Sequence, residues 1–176
     1  MKSINDLDLS KISESHLMLL GVGHKMFYRG ENPLLFGYND TTFTTKVPVK
    51  ERIQVSGANS GYFYTGTTEE VVNTETKNRE GKIYEIVVII PIDRILDLDK
   101  VCQEQGVEKP YLKKRSVDEQ HPYQGEEQLL KLYGNEIIEK RIHGIKYQSR
   151  QIQDDTCYIF YDTLNNLEEY LSAQRV

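Results

Sequence analysis

Apolar and polar positions along this chain fall into short blocks of differing period. Leucines and isoleucines over residues 3–20 are spaced loosely for a helix, which the two glycines of "GVGH" would stop. "KMFYRG" at 25–30 reads as a short strand. "GYFYTG" at 61–66 reads as an aromatic strand bracketed by glycines, and Thr67 followed by Glu70 has capping-box spacing, predicting a helix over 67–77. The most apolar run, "KIYEIVVIIPI" at 82–92, is β-branched and too short for a membrane helix, which predicts a central strand.

A short helix is expected from residue 99, followed by a polar loop holding Pro110 and Pro122. In "EEQLLKLYGNEIIEKRIHG", 126–144, Leu129, Leu132 or Tyr133, Ile137, Ile138 and Ile142 share a face of one helix, or of two broken at Gly134, with Gly144 as the stop. "IKYQSRQ" and "TCYIFYD" read as strands and "TLNNLEEYLSAQ" as a closing helix. Residues 31–60 are rich in Gly, Asn, Thr, Pro and Ser, the composition of turns and of loops that carry function. With no internal repeat, low-complexity tract or linker, the pattern predicts an α+β chain forming a single domain over 1–176.

Length supports that expectation, since 176 residues suffice for one core and are too few for two comfortable ones. No apolar run approaches the roughly 20 residues of a membrane span, and acids and serines stand where a signal peptide would be apolar. The expected location is therefore the cytoplasm. A net charge of -5 argues against direct nucleic-acid binding, which needs an excess of Lys and Arg; the "KKR" at 113–115 reads as a solvated loop. Cys102 and Cys157 stand far apart without a CxxC pattern or a histidine cluster, so buried thiols are expected and no metal site. Twelve tyrosines, five phenylalanines and no tryptophan supply flat rings with polar tips, useful in a core or around a ligand.

Walker, GxGxxG, HExxH and GxSxG patterns are absent. What remains is a scattered set: Arg29 after an aromatic strand, Arg52 in a loop, Tyr64 in the next strand, Glu75 eleven residues later and Ser149 far downstream. Taken singly, each has an ordinary structural reading: surface arginines paired with acids, a core tyrosine, a solvated helix glutamate, a serine at a strand end. Taken in order, with "YTGTTEEVVNTE", "EIVVIIPIDRILDL" and "GIKYQSRQIQDDTCYIFYD", the set resembles the RES domain family over nearly the whole chain. One departure is "RIQVSGANSG" after Arg52, where the family usually continues "RFN" or "RWN". Glu69, Glu70 and Glu80 lie in the same segment as Glu75, and spacing favours Glu75.

The resemblance implies an ADP-ribosyltransferase-like mixed β core with flanking helices and an NAD-degrading toxin of a bacterial toxin–antitoxin system. It implies NAD as substrate without a metal, a helix-turn-helix antitoxin as partner, and possible homo-oligomers. The chemistry suits these residue types. Breaking the nicotinamide–ribose bond builds oxocarbenium-like charge on the sugar, which a carboxylate such as Glu75 would steady. A guanidinium fork matches a pyrophosphate, so Arg29 would clamp the dinucleotide with Arg52 assisting. Tyr64, with Tyr28, would stack on nicotinamide, and Ser149 would position the ligand by hydrogen bonding, no base being in place to make it a nucleophile. Two alternatives stay open: ADP-ribosyl transfer to a macromolecule, and a binding module of this architecture without activity.

Overall fold

In a computed structural model, the described residues are 6–30, 62–75, 82–107, 134–148, 155–161, 163–164 and 167–176; the side chains of Arg29, Tyr62, Tyr64, Asn73, Thr74, Glu75 and Glu168 lie outside that description. They form an α+β arrangement around one mixed sheet. Its strands are β1 (Leu17–Leu20), β2 (Lys25–Gly30), β3 (Tyr62–Gly66), β4 (Lys82–Val88), β5 (Ile92–Asp97), β6 (Gly144–Gln148), β7 (Thr156–Tyr161) and β8 (Leu171–Arg175). The described residues also form two helices, α1 (Glu69–Glu75) and α2 (Leu98–Gln105), and a further helical turn over 134–139.

The strand order is β1-β5-β6-β7-β3-β2-β4-β8, antiparallel except where β5 pairs with β6. That order forces the sheet to curl. β1 and β2 stand first and sixth, about 24 Å apart in a flat sheet at the usual strand spacing, yet only residues 21–24 join them, reaching about 18 Å when fully extended. β4 and β5, seventh and second, are joined by 89–91 alone, with a reach of about 14 Å. Rolling the sheet so that its ends face each other satisfies both connections.

The two cores follow from the curl. On the concave side, Leu20, Ile92 and Ile95 from one end pack with Met26, Tyr28, Ile86, Val88 and Leu171 from the other, around Phe63 and Phe160. On the convex side, Leu96, Ile145, Cys157 and Ile159 are covered by Leu7, Leu9, Val71, Val72, Leu98, Val101 and Ile137. Ile92 and Ile95 share the concave side although three residues apart. A bulge explains it: Leu20 pairs with Ile92 but Met18 with Ile95, and Arg94 between them takes φ 60°. Its guanidinium then reaches the carbonyls of Lys140 and Arg141.

The N-terminal stretch departs from the helical expectation. It makes two 3-10 turns, Leu9–Lys11 and Glu14–His16, and then β1. Side-chain bonds tie it to α2: Asp8 and Gln105 exchange two hydrogen bonds of 2.8 Å, and the His16 Nε2–H donates to Glu104 at 2.5 Å while Nδ1 accepts from the Ser13 N–H. α2 itself is capped by the Asp97 carboxylate and ended by Gly106 at φ 66°.

Three further expectations are corrected. The run at 82–92 is not one central strand but β4, a turn and the start of β5, and β4 lies next to the sheet's edge. The closing segment makes a 3-10 turn at Leu167–Glu169 and then β8, not a helix. Gly144 does not stop a helix but opens β6, the helical turn having ended before Arg141 at φ 51°. Both cysteines are buried, as expected.

Candidate active site

The aromatic strands and the helix after them supply the candidate residues. β3 is aromatic and β-branched, the composition of a strand buried on both sides, and it lies between β7 and β2. Tyr64 pairs with Ile159, Ile159 with Ile145, and Ile145 with Leu96, so position 64 stands in a row crossing the middle of the sheet. Arg29 pairs with Ile83 on the other side of β2.

Between β2 and β3 the register is set by Phe27 opposite Gly66. Position 29 lies two residues beyond Phe27 on β2 and position 64 two residues before Gly66 on the adjacent β3. α1, which ends at Glu75, packs on these same two strands. Three of the candidate positions, 29, 64 and 75, thus belong to one patch of β2, β3 and α1.

Sequence spacing misplaces the helix cap by one residue. Thr68, not Thr67, caps α1: its Oγ1 accepts from the Val71 N–H at 3.1 Å and donates to Asp155 Oδ2 at 3.0 Å. Thr67 joins the start of β7, its N–H donating to the Thr156 carbonyl at 2.9 Å and its Oγ1 accepting from the Thr156 N–H at 3.1 Å. Gly66 allows the helix to sit this low, because a Cβ there would stand 2.4 Å from Val71 Cγ1 and 3.0 Å from Val72 Cγ2. Thr68, Asp155 and Gly66 were not singled out from the sequence; the glycine at the strand–helix junction and the paired threonines were the signals available.

Tyr28 does not join this patch. Its buried ring stacks on Phe63 with centroids 4.5 Å apart and belongs to the concave core. Arg52 and Ser149 lie outside the described residues. Gln148, the residue before Ser149, pairs with Thr156, and its N–H donates to Asp99 Oδ2 at 2.7 Å. This end of β6 is therefore level with the start of β7 that holds Thr67 and Thr68.

Around the concave core two titratable groups depart from ordinary behaviour. Burial pushes the His24 imidazole below its usual value, and its enclosed Nε2 has no hydrogen-bond partner among the described residues. The Tyr158 ring meets His24 edge-on at 5.1 Å, and its phenol is raised by burial and then by Asp97. Among the described residues no three His, Cys, Asp or Glu converge as a metal site, and no helix is long and apolar enough to cross a membrane. Compared with family models, curated proteins and solved structures, the chain matches nothing.

Proposed function

We propose that this chain cleaves NAD at the nicotinamide–ribose bond, transferring the ADP-ribosyl group to water or phosphate, on an ADP-ribosyltransferase-like core. The observation that carries the reading is the common patch: Arg29 and Tyr64 on adjacent strands, with the helix that ends in Glu75 packed over both strands. An arginine, a phenol and a carboxylate are the three functions that the reaction asks for, and the resemblance to RES domains orders them in the same way.

In this mechanism Arg29 grips the pyrophosphate, fixing the dinucleotide along the β2 end. Tyr64 stacks on the nicotinamide ring and holds it turned for departure. The C–N bond to the ribose breaks, and the ring leaves as neutral nicotinamide with the bonding electron pair. Glu75 binds the ribose hydroxyls, its negative charge opposing the positive charge that grows on the sugar carbon. When water is the acceptor, its oxygen bonds to that carbon and its proton passes to solvent. As a toxin in the cytoplasm, such an enzyme would drain NAD, and the partner in keeping with it is a helix-turn-helix antitoxin.

The test is nicotinamide release from NAD by the purified protein freed of any partner. Glu75→Gln, which keeps shape and removes charge, should lower turnover on the order of 10²- to 10³-fold while thermal unfolding stays unchanged. No nicotinamide from the unmodified protein, or equal turnover by Glu75→Gln, would contradict the reading.

A further inference from the structure

We infer that Thr68 and Asp155 are positioning residues for Glu75, acting as a side-chain lock that fixes the direction of α1 from its N-cap. The inference rests on the NAD-cleaving reading and adds to it a device that neither composition nor motif pointed to.

The start of α1 is held from three sides. Beneath it, Val71 and Val72 press on the backbone of Gly66 where no Cβ intervenes. Before it, the reciprocal Thr67–Thr156 bonds continue the β3–β7 pairing by one step, with a hydroxyl in place of a carbonyl. Beside it, the Thr68 hydroxyl spends its proton on Asp155 Oδ2 and a lone pair on the Val71 N–H, so one oxygen couples the helix cap to the residue just ahead of β7. Carboxylate acceptors make stronger hydrogen bonds than neutral ones.

Such a lock matters because α1 is short. Glu75 lies seven residues beyond Thr68, about 10 Å along a helix axis. A tilt of about 6° at the cap moves the far end by about 1 Å, and misplacement of that size at a reacting centre can cost on the order of 10²-fold. Asp155 also stands just ahead of β7, whose first residue Thr156 pairs with Gln148 at the end of β6, so the lock ties the start of α1 to that end of the β6–β7 pair.

The experiment compares turnover of NAD by the unmodified chain with Thr68→Val, Thr68→Ser, Asp155→Ala and Asp155→Asn. Thr68→Val and Asp155→Ala should lower kcat about tenfold or more with KM within about twofold, because substrate grip through Arg29 is untouched. Thr68→Ser keeps both functions of the oxygen, and Asp155→Asn keeps an acceptor, so both should retain most of the activity. The double variant Thr68→Val with Asp155→Ala should be little worse than either single one. Should Thr68→Val fail to fold, Asp155→Ala carries the test with the cap hydroxyl intact. Amide exchange should quicken at Val71 and Val72 while β3 and β7 stay protected. Full kcat in Asp155→Ala and Thr68→Val beside an active unmodified chain would overturn the lock and leave the NAD reading standing. An inactive unmodified chain would remove that reading and the lock's role with it.

Discussion

Gly144 stands between Ile95 of β5 on one side and Phe160 of β7 on the other, where the parallel pair of β5 and β6 meets the antiparallel pair of β6 and β7. A methyl group added there would lie 2.4 Å from the carbonyl oxygen of Ile159, 3.3 Å from its carbon and 3.2 Å from Ile95 Cδ1. Comfortable contacts need about 3.5 Å, so roughly 1 Å of displacement is demanded of a strand backbone, not of a side-chain tip that could swing away. Overpacking of this kind costs typically about 1–3 kcal/mol, and a contact against backbone belongs at the upper end. For a chain of this size each kcal/mol lowers Tm by about 2–4 °C, so Gly144→Ala should melt about 6–12 °C lower. Urea unfolding, with the slope unchanged, reads the same loss as a shifted midpoint. Gly21→Ala is the control: no atom stands within 4 Å of its added methyl, and its effect should stay within about 0.5 kcal/mol. Gly144→Ala as stable as Gly21→Ala would refute the packing of β6 between β5 and β7.

Two further outcomes follow from groups with unusual surroundings. His24, lowered by burial from 6.5, binds its proton less readily when folded than when unfolded, so its contribution is present above about pH 6.5 and is lost as pH falls below that. His24→Phe keeps a ring against Tyr158 and removes the titration; its urea midpoint should fall less than that of the unmodified chain between pH 7.5 and 5, and identical pH dependence would count against the enclosed imidazole. Arg94 combines a left-handed backbone with a guanidinium that serves two carbonyls, so Arg94→Ala should cost about 1.5–3 kcal/mol and Arg94→Gly about 1 kcal/mol less, glycine tolerating φ 60°. Chemical denaturation of the two variants side by side checks the order; the reverse order contradicts it.

Local signals marked the elements whose period is unambiguous. β2, β3, β7 and most of α1 were legible because aromatic runs between glycines or polar breaks have one plausible conformation. β1 and β8 were not, since "LMLL" and "LSAQ" sit in leucine-bearing stretches whose helical spacing is overridden by pairing with β5 and β4. The division of the 82–92 run hinges on Ile89 and Ile90 being exposed in the turn that crosses the curled sheet, a long-range demand that hydropathy does not register. The cap fell one residue late because the hydroxyl of Thr67 is taken by Thr156, 89 residues away. The order of Arg29, Tyr64 and Glu75 could be read from the chain, but that 29 and 64 fall on adjacent strands depends on the pairing of β2 with β3. The place of Tyr28 depends on the same kind of information: phase along β2 puts its ring against Phe63.

The central claim is that positions 29, 64 and 75 serve one dinucleotide. Titrating NAD, or an uncleavable analogue of it, while following the backbone amides by NMR tests this most directly. The amides of Arg29, Tyr64 and Glu75 should shift together and fit a single Kd, with those of β8 unmoved. Shifts confined to other strands, or none at saturating ligand, would contradict the account.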